Sequence, residues 1–226
     1  MDKTELELNG RLFKIETGSL ARQANGAVLV QYGDTVILVT VCRGMLLTEK
    51  TDFLPLTINY RERTYAAGKI PGGFFKREGR PREREILVSR LTDRAIRPLL
   101  PANINYEIQV MITVLSTDRE NDTVIPSLIG TSLALGMSDI PFLDVLGAVT
   151  IGRVRDEFIV NPTFAQLEMS DLDLTVAGTE TGIFMIEGNA REISEEIITE
   201  ALKLAQKEIM RIIQIEKQFL PQNQPK

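Results

Sequence analysis

The succession of strand patterns in the first sixty residues constrains the fold of this chain most strongly. These patterns cover 6–8, 12–15, 27–31 and 35–42. Asn9-Gly10, between the first two, is a pair typical of a two-residue hairpin turn. The continuously apolar run at 36–39 predicts a strand that is buried on both faces. Because strands joined by short turns pair antiparallel, the chain is expected to begin as an antiparallel sheet.

The rest of the chain inserts helices among further strands. Strands are predicted over 53–60, 108–115, 145–154, 157–160, 172–177 and 182–186, and helices over 82–97, about 126–136 and 193–219. This order favours an α+β fold, a mixed and largely antiparallel sheet with packed helices. We interpret residues 1–220 as one domain and the polar segment 221–226 as a linker toward a following domain.

The composition excludes several classes of protein. The chain has no histidine, so it contains no Ser-His-Asp triad, no Cys-His dyad and no histidine-ligated zinc site. Cys42 is the single cysteine, which excludes an internal disulfide, and its place at the end of a buried strand pattern predicts a core thiol. No run of about 18 apolar residues and no apolar N-terminal segment is present, so we expect no membrane span, no signal peptide and a cytoplasmic location.

Positive charge is concentrated in one segment of an acidic chain. Residues 61–97 carry eleven basic and five acidic side chains, a local net charge of +6, whereas the whole chain has a net charge of −5. This asymmetry indicates a localised anion-binding site. The alternative is a charge fluctuation on a solvated face.

Three arginines of the predicted helix share one face: Arg90, Arg94 and Arg97. Like charges at this spacing repel each other, and Asp93 and Glu83 lie off the stripe, so an anionic ligand is the expected compensation. Guanidinium groups suit phosphate oxygens in particular. The alternatives are a solvated helix face and pairing with carboxylates elsewhere in the fold. The neighbouring apolar stripe, expected to pack on the sheet, comprises Leu87, Leu91 and Ala95.

The loop before this helix combines glycines, cations and two adjacent phenylalanines. Its sequence at 72–81 is GGFFKREGRP, with no apolar periodicity. Exposed rings beside basic groups form a stacking platform for unpaired bases. The alternative is that one of the two rings anchors the loop to the core.

These segments carry a resemblance to a known family. FFKREGRP at 74–81, followed by RLTDRAIRPL at 90–99, resembles the first core domain of the bacterial polynucleotide phosphorylases, and the segments at 18–26 and 172–179 strengthen the match. The resemblance covers residues 1–220 and implies a ribonuclease PH-like fold, which is also similar to a ribosomal-protein fold. It further implies a homotrimeric ring that degrades single-stranded RNA from the 3′ end with phosphate as co-substrate, releasing nucleoside diphosphates. Mg²⁺ and a possible RNA-degradation complex belong to the same expectation.

The resemblance also implies roles for individual residues in RNA binding. Phe74 and Phe75 would form an aromatic constriction of the channel. The cations that follow would line the channel, from its entrance inward: Lys76, Arg77, Arg80, Arg90, Arg94 and Arg97. Lys76 stands where the family commonly has arginine, which keeps the charge but reduces bidentate hydrogen bonding.

The same resemblance predicts that this domain lacks the catalytic groups. The active, second domain of the family binds phosphate in a Gly-Ser-Ser-Ser turn, in whose place this chain has NDTV at 121–124. Two aspartates and a lysine of the active domain correspond here to Leu167, Asp173 and Thr175. Asp171 and Asp173 would share a strand face, but two carboxylates at a strand start are usually solvated. We therefore expect no catalytic residue and no metal site in this chain, with the Mg²⁺ site of the complete enzyme elsewhere.

Three functions remain open at this stage. The preferred one is a non-catalytic, RNA-threading half of a phosphorolytic exoribonuclease. The second is a self-sufficient ribonuclease PH-type enzyme that processes tRNA ends, and the third is a non-enzymatic RNA-binding ring scaffold. The length of the native gene product would distinguish the first from the others.

Overall fold

The computed structural model describes residues 2–8, 10–47, 53–72, 74 and 77–223. Within these residues the strands are β1 (Asp2–Leu8), β2 (Arg11–Thr17), β3 (Gly26–Tyr32), β4 (Thr35–Leu46), β5 (Leu56–Glu62), β6 (Tyr106–Ser116), β7 (Gly147–Val154), β8 (Glu157–Val160), β9 (Leu172–Thr179) and β10 (Gly182–Ala190). The helices are α1 (Glu83–Ile96), α2 (Val124–Gly136), α3 (Phe164–Glu168) and α4 (Glu195–Asn223). Two short 3₁₀ turns cover Thr64–Ala67 and Arg97–Leu99.

The first six strands form one sheet in the order β1-β2-β3-β4-β6-β5. Neighbours pair antiparallel except β5 and β6, which run parallel, so the predicted mixed and largely antiparallel sheet is confirmed. The predicted first hairpin is also confirmed, since β1 pairs with β2 across a turn in which Gly10 has a φ of 72°. That left-handed conformation costs glycine little.

Strand β4 corrects two sequence predictions. Its burial alternates, with Ile37, Val39 and Val41 fully buried and the residues between them only half-buried, so the prediction of burial on both faces is wrong. Helix α2 packs closely on the buried face, where a side chain at Gly130 would collide with Val39. The same alternation places Cys42 on the other face, exposed, so it is not a core thiol.

The second sheet has the order β10-β9-β7-β8 and is antiparallel throughout. Its two hairpins are those that the sequence predicts. Helix α4 covers β7 and β9, and Gly147 gives the close approach, because a Cβ there would lie 2.8 Å from the Ile209 carbonyl oxygen.

Helix α2 lies between the two sheets and joins them into one core. All residues from Val124 to Leu135 are buried, and α2 contacts β3, β4, β7 and α4. The buried apolar residues of both sheets form a single cluster, which confirms the α+β fold class.

Two helical segments differ from the sequence prediction. Helix α4 continues to Asn223, past the point where the polar sequence predicts a linker, and residues 224–226 lie outside the described chain. The short helix α3 is absent from the prediction, although a capping box marks its start: Gln166 N–H donates to Thr163 Oγ1 at 3.2 Å, and Thr163 N–H donates to Gln166 Oε1 at 2.8 Å. No helix in the described part of the chain has the length and hydropathy that crossing a membrane requires.

Candidate nucleic-acid interface and a degenerate catalytic cavity

Helix α1, which carries the predicted arginine stripe, covers the open edge of strand β5. Glu62 N–H donates to Glu85 Oε1 and Tyr60 N–H donates to Ser89 Oγ, both at 3.0 Å. Four helical residues rise about 6 Å and two strand residues about 6.6 Å, so the two ladders stay in step. These contacts fix how far α1 slides along the sheet edge, and therefore where its outer face points.

Arg97 fastens the far end of α1 to the start of β5. Its Nε and Nη2 donate to the Asp93 carboxylate at 2.9 and 2.6 Å, while Nη1 donates to the carbonyl of Leu54 at 2.9 Å and Nη2 to that of Leu56 at 3.3 Å. The hydrogen bond to Asp93 raises the pKa of Arg97. From its place off the stripe, Asp93 is expected to be a poor partner for these arginines. For Arg97 this expectation is wrong, because residues four positions apart are neighbours on the surface of a helix.

Loss of the Ser89 hydroxyl should weaken the attachment of α1 to β5. We expect Ser89→Ala to lower the free energy of unfolding by about 1–3 kcal/mol, because the Tyr60 amide loses its acceptor at a sheet edge that α1 keeps from water. Urea denaturation measures the change. Thr199→Ala is the matched control, since the Thr199 hydroxyl donates to a carbonyl four residues earlier, as the Ser89 hydroxyl does, but is exposed. Equal stability of Ser89→Ala and the natural chain would contradict the anchoring role.

Arg90 and Arg94 point away from the core, as the stripe predicts. Both line an open groove of about 370 Å³ between α1 and β5. Arg94 pairs with Glu187 of β10, but both side chains are about half exposed, so this ion pair adds little stability and can give way to a ligand. The predicted apolar stripe is wrong in one member: Leu87 is 55% exposed, whereas the predicted Ala95 is buried together with Val88, Thr92 and Ile96.

The loop cations surround a larger cavity at the beginning of α1. This cavity has a volume of about 470 Å³, and its arginines are Arg61, Arg63, Arg77, Arg80 and Arg82. Glu78 shapes it by pairing with Arg63 and by accepting a hydrogen bond from the Thr64 amide at 2.8 Å. The bond from Arg63 lowers the pKa of Glu78, so this carboxylate stays charged and holds the loop against the 3₁₀ turn.

The aromatic pair is described only in part. Phe74 is 96% exposed and stands three positions before Arg77 in the sequence, whereas Phe75 and Lys76 lie outside the described residues. The cavity at the start of α1 and the groove along it thus place Arg77, Arg80, Arg90 and Arg94 around one helix. Guanidinium groups spread along a surface with an exposed ring match a single-stranded, phosphate-rich ligand.

A second site gathers the residues that stand in the catalytic positions of the resemblance. Asp122, Leu167, Asp173 and Thr175 line one small cavity of about 70 Å³. The sequence separates them by up to 53 positions, and the packing of α2 and α3 on β7, which pairs with β9, brings them together. Thr175 faces Thr150, with 3.1 Å between the two hydroxyl oxygens.

The charges in this cavity are the reverse of those that a phosphate needs. The Asp122 carboxylate accepts from Val124 N–H at 3.1 Å and from Arg84 Nη2 at 2.6 Å, so it occupies donors at the start of α2. Burial raises the pKa of Asp173, and the negative charge of Asp122 raises it further. A phosphate placed here would meet carboxylates where it needs donors.

The same cavity is poorly suited to Mg²⁺. One of its two carboxylates is already paired with Arg84, and Leu167 contributes no oxygen. Asp171, the other candidate on β9, is paired with Arg153. Among the described residues no group of three or more histidine, cysteine, aspartate or glutamate side chains could hold a metal ion.

Two residues of this region are missing from the sequence analysis. The Tyr60 hydroxyl lies within hydrogen-bond distance of Thr123 and donates to Glu62, and burial strongly raises its pKa. Arg84 bridges Glu62 and Asp122. Arg84 could be recognised in the sequence as one of four arginines in REGRPRER at 77–84. Its pairing with Asp122, 38 positions away, could not be recognised there.

The architecture defines a ribonuclease PH-like protein. The structure of Rrp46 from rice (Oryza sativa) is similar, with a TM-score of 0.76 over 92% of this chain and 94% of that one; at 16% identity this likeness concerns the fold alone. The model of the 3′ exoribonuclease family matches at residues 9–141 for its domain 1 and at residues 144–208 for its domain 2. The chain therefore belongs to the 3′ exoribonuclease family.

Three curated relatives are similar to this chain over nearly its whole length. The polyribonucleotide nucleotidyltransferase of Thermomicrobium roseum is 53% identical over 93% of this chain, and that of Thermodesulfovibrio yellowstonii is 52% identical over 96%. That of Exiguobacterium sibiricum is 51% identical over 95%. The chain spans only 27%, 31% and 29% of the length of these three relatives, respectively.

Proposed function

We propose that this chain is the N-terminal, non-catalytic core domain of a phosphate-dependent 3′-to-5′ exoribonuclease, a polynucleotide phosphorylase. The observation that carries the proposal is the degenerate cavity, in which Arg84 and the Val124 amide bind Asp122 where an active domain would bind phosphate. The high identity to polyribonucleotide nucleotidyltransferases over nearly the whole chain supports the same assignment.

In this proposal the chain holds the RNA strand while another part of the protein cuts it. The residues that would bind RNA are Phe74, Phe75, Lys76, Arg77, Arg80, Arg90, Arg94 and Arg97. Arg90 is unpaired among the described side chains, and Arg94 exchanges one exposed ion pair for a phosphate. Arg97 would act mainly by positioning, because Asp93 and two backbone carbonyls already occupy its guanidinium.

The complete protein would be a cytoplasmic homotrimer acting in mRNA degradation. Residues 1–220 would form its first ribonuclease PH-like domain, and residues 221–226 would lead into a following domain. Phosphate is the expected co-substrate, and Mg²⁺ would bind outside this chain, since the donor set of the degenerate cavity does not suit it. An RNA-degradation complex is a further expected partner.

The groove lined by Arg90 and Arg94 should contact the RNA backbone, because an enzyme that degrades any sequence needs contacts that all sequences share. Each phosphate contact on single-stranded RNA contributes roughly 0.7 to the slope of log K against log salt. In the full-length protein, Arg90→Ala and Arg94→Ala should each reduce that slope by roughly this amount and leave base preference unchanged. Fluorescence anisotropy with oligoadenylate and oligouridylate over a salt series measures both quantities.

Arg155→Ala provides the matched control for the groove. Arg155 is exposed in the turn between β7 and β8, and it lines neither the groove nor the cavities of this region. Its slope should equal that of the natural protein. If Arg90→Ala and Arg94→Ala also leave the slope unchanged, the groove does not face the RNA.

A further inference from the structure

A second cation-rich cavity opens beside the turn at 117–123, next to the first cavity, with which it shares Arg63 and Arg82. Its volume is about 440 Å³, and its cationic lining residues are Arg63, Lys69, Arg82, Arg84 and Arg119. Of the eight residues assigned above to RNA binding, the six that the structure describes do not line it. A volume of this size lies in the range of small-molecule binding sites.

The walls of this cavity are tied together by hydrogen bonds, so the space is formed before any ligand arrives. Thr117 N–H donates to the Ala66 carbonyl at 3.1 Å, which joins the end of β6 to the 3₁₀ turn. Arg119 Nη2 donates to the Ala67 carbonyl at 2.9 Å from a residue whose φ is 63°. A non-glycine residue rarely adopts this conformation, and here the Arg119 side chain lines the cavity.

The cavity keeps positive charge that the carboxylates paired with its cations do not neutralise, and of these carboxylates only Glu62 lines the cavity. Glu62 and Asp122 pair with Arg84, and Glu78 pairs with Arg63. Five cations against these three carboxylates leave an excess of two positive charges. Lys69 and Arg82 form no ion pair with any residue that the structure describes, and both are exposed to solvent.

One side of the cavity is flat and aromatic. The ring of Phe164 is half-buried at the start of α3, and the Arg84 guanidinium lies 5.9 Å from its centroid. A planar base stacks well on such a surface of ring and guanidinium. The cavity therefore offers a stacking surface and uncompensated cations within one small space.

We propose that this cavity binds a mononucleotide, with its terminal phosphate held by Lys69, Arg82 and Arg119 and its base stacked against Phe164 and Arg84. A terminal phosphate carries about −1.5 to −2 charges at neutral pH, which matches the excess of two positive charges. An internal phosphodiester of RNA carries a single negative charge and leaves the cavity unbalanced. The site would make nucleotide binding a property of this domain itself.

Calorimetric titration of the 226-residue chain, which has a continuous core of its own, tests the proposal directly. The probes are adenosine monophosphate, adenosine, inorganic phosphate and an oligoadenylate with hydroxyl groups at both ends. Adenosine monophosphate should bind about tenfold or more tightly than adenosine or phosphate alone, because each of these lacks one half of the contacts. Lys69→Glu should weaken its binding by about tenfold or more, since one attraction becomes a repulsion.

Lys203→Glu is the matched control, because Lys203 is an exposed lysine of α4 far along the chain from the cavity. It should leave the affinity for adenosine monophosphate unchanged. Absence of binding, or equal binding by Lys69→Glu and the natural chain, would overturn the proposal. Lys69-dependent binding of the oligoadenylate that adenosine monophosphate cannot displace would also overturn it, in favour of an RNA segment. None of these results affects the proposed exoribonuclease, whose test uses Arg90 and Arg94.

Discussion

The 226-residue chain, supplied with Mg²⁺, phosphate and single-stranded RNA, should release no nucleoside diphosphate above background. Charge that develops on the transferred phosphoryl group needs a cation or a preorganised donor to stabilise it. In the degenerate cavity Asp122 occupies the available donors, Leu167 has no oxygen, and Thr175 stands where the resemblance implies a lysine. Thin-layer or chromatographic detection of nucleoside diphosphates measures the reaction, with the full-length protein as the positive control.

Substitution of the remaining carboxylate distinguishes a degenerate cavity from a working one. In the full-length protein, Asp173→Ala should change kcat/KM by less than about threefold, a barrier difference below about 1 kcal/mol. Burial already disfavours the charged form of Asp173, so its removal costs the fold little. If the 226-residue chain by itself degraded RNA, and lost that activity in Asp173→Ala, the result would contradict the proposal of a non-catalytic domain. It would favour the self-sufficient tRNA-processing enzyme.

The sequence predicted local structure well because the determining signals are local. Alternating apolar residues and the Asn9-Gly10 turn were sufficient for the first hairpin. Helix α1 was predicted from its periodicity. The short α3 was missed, because five residues give no apolar period and only the Thr163–Gln166 capping box marks them.

Features that depend on distant pairing were not predictable from these signals. The parallel pairing of β5 with β6 crosses the whole of α1, and the sequence carries no mark of it. Because α1 lies along the edge of β5, its buried face follows the hydrogen-bonding groups Glu85 and Ser89 rather than Leu87. Cys42 was misplaced because one extra position reverses the face of a strand, a distinction that the apolar run alone does not make.

The candidate site also has one part that the sequence predicted and another part that it did not. The resemblance named Asp122, Leu167, Asp173 and Thr175 one by one, and the structure places them in one cavity. The pairing of Asp122 with Arg84 could not be read from the sequence, since it joins two segments through the packing of α1 beside α2. That contact is the strongest physical argument for the proposal that the cavity is non-catalytic.

The second large effect that we expect is a pH dependence of the free energy of unfolding. It is caused by Glu216, a fully buried carboxyl of α4. Its Oε2 accepts from the Ser132 hydroxyl of α2 at 3.0 Å, and that hydroxyl accepts from the Leu146 amide at 2.8 Å. Burial raises the pKa of Glu216 well above its usual range, and the negative charge of Asp144 acts in the same direction. Lys217 is turned toward Asp144 and Glu180 at the surface, so it does not neutralise the buried group.

The direction of the resulting pH dependence follows from proton binding. In the unfolded chain Glu216 loses its proton near its ordinary pKa, whereas the native chain keeps it to higher pH. The contribution of Glu216 to stability is therefore fully present below the pKa that it has in the unfolded chain. It is lost as the pH rises through the pKa that Glu216 has in the native chain. Over that window this one group lowers the free energy of unfolding by about 1.4 kcal/mol for each pH unit.

Glu216→Gln should remove this dependence. A neutral amide keeps an oxygen to accept from Ser132 but has no proton to lose, so its unfolding free energy should fall less steeply between about pH 5 and about pH 8. Urea denaturation of both proteins across this range measures the difference, which should be smallest at the acidic end. Asp173→Asn is the matched control, because Asp173 is only half-buried and its raised pKa has a smaller effect. Parallel curves for Glu216→Gln and the natural chain would show that Glu216 is already charged in the native core, and that α4 tolerates an ionised carboxylate against α2.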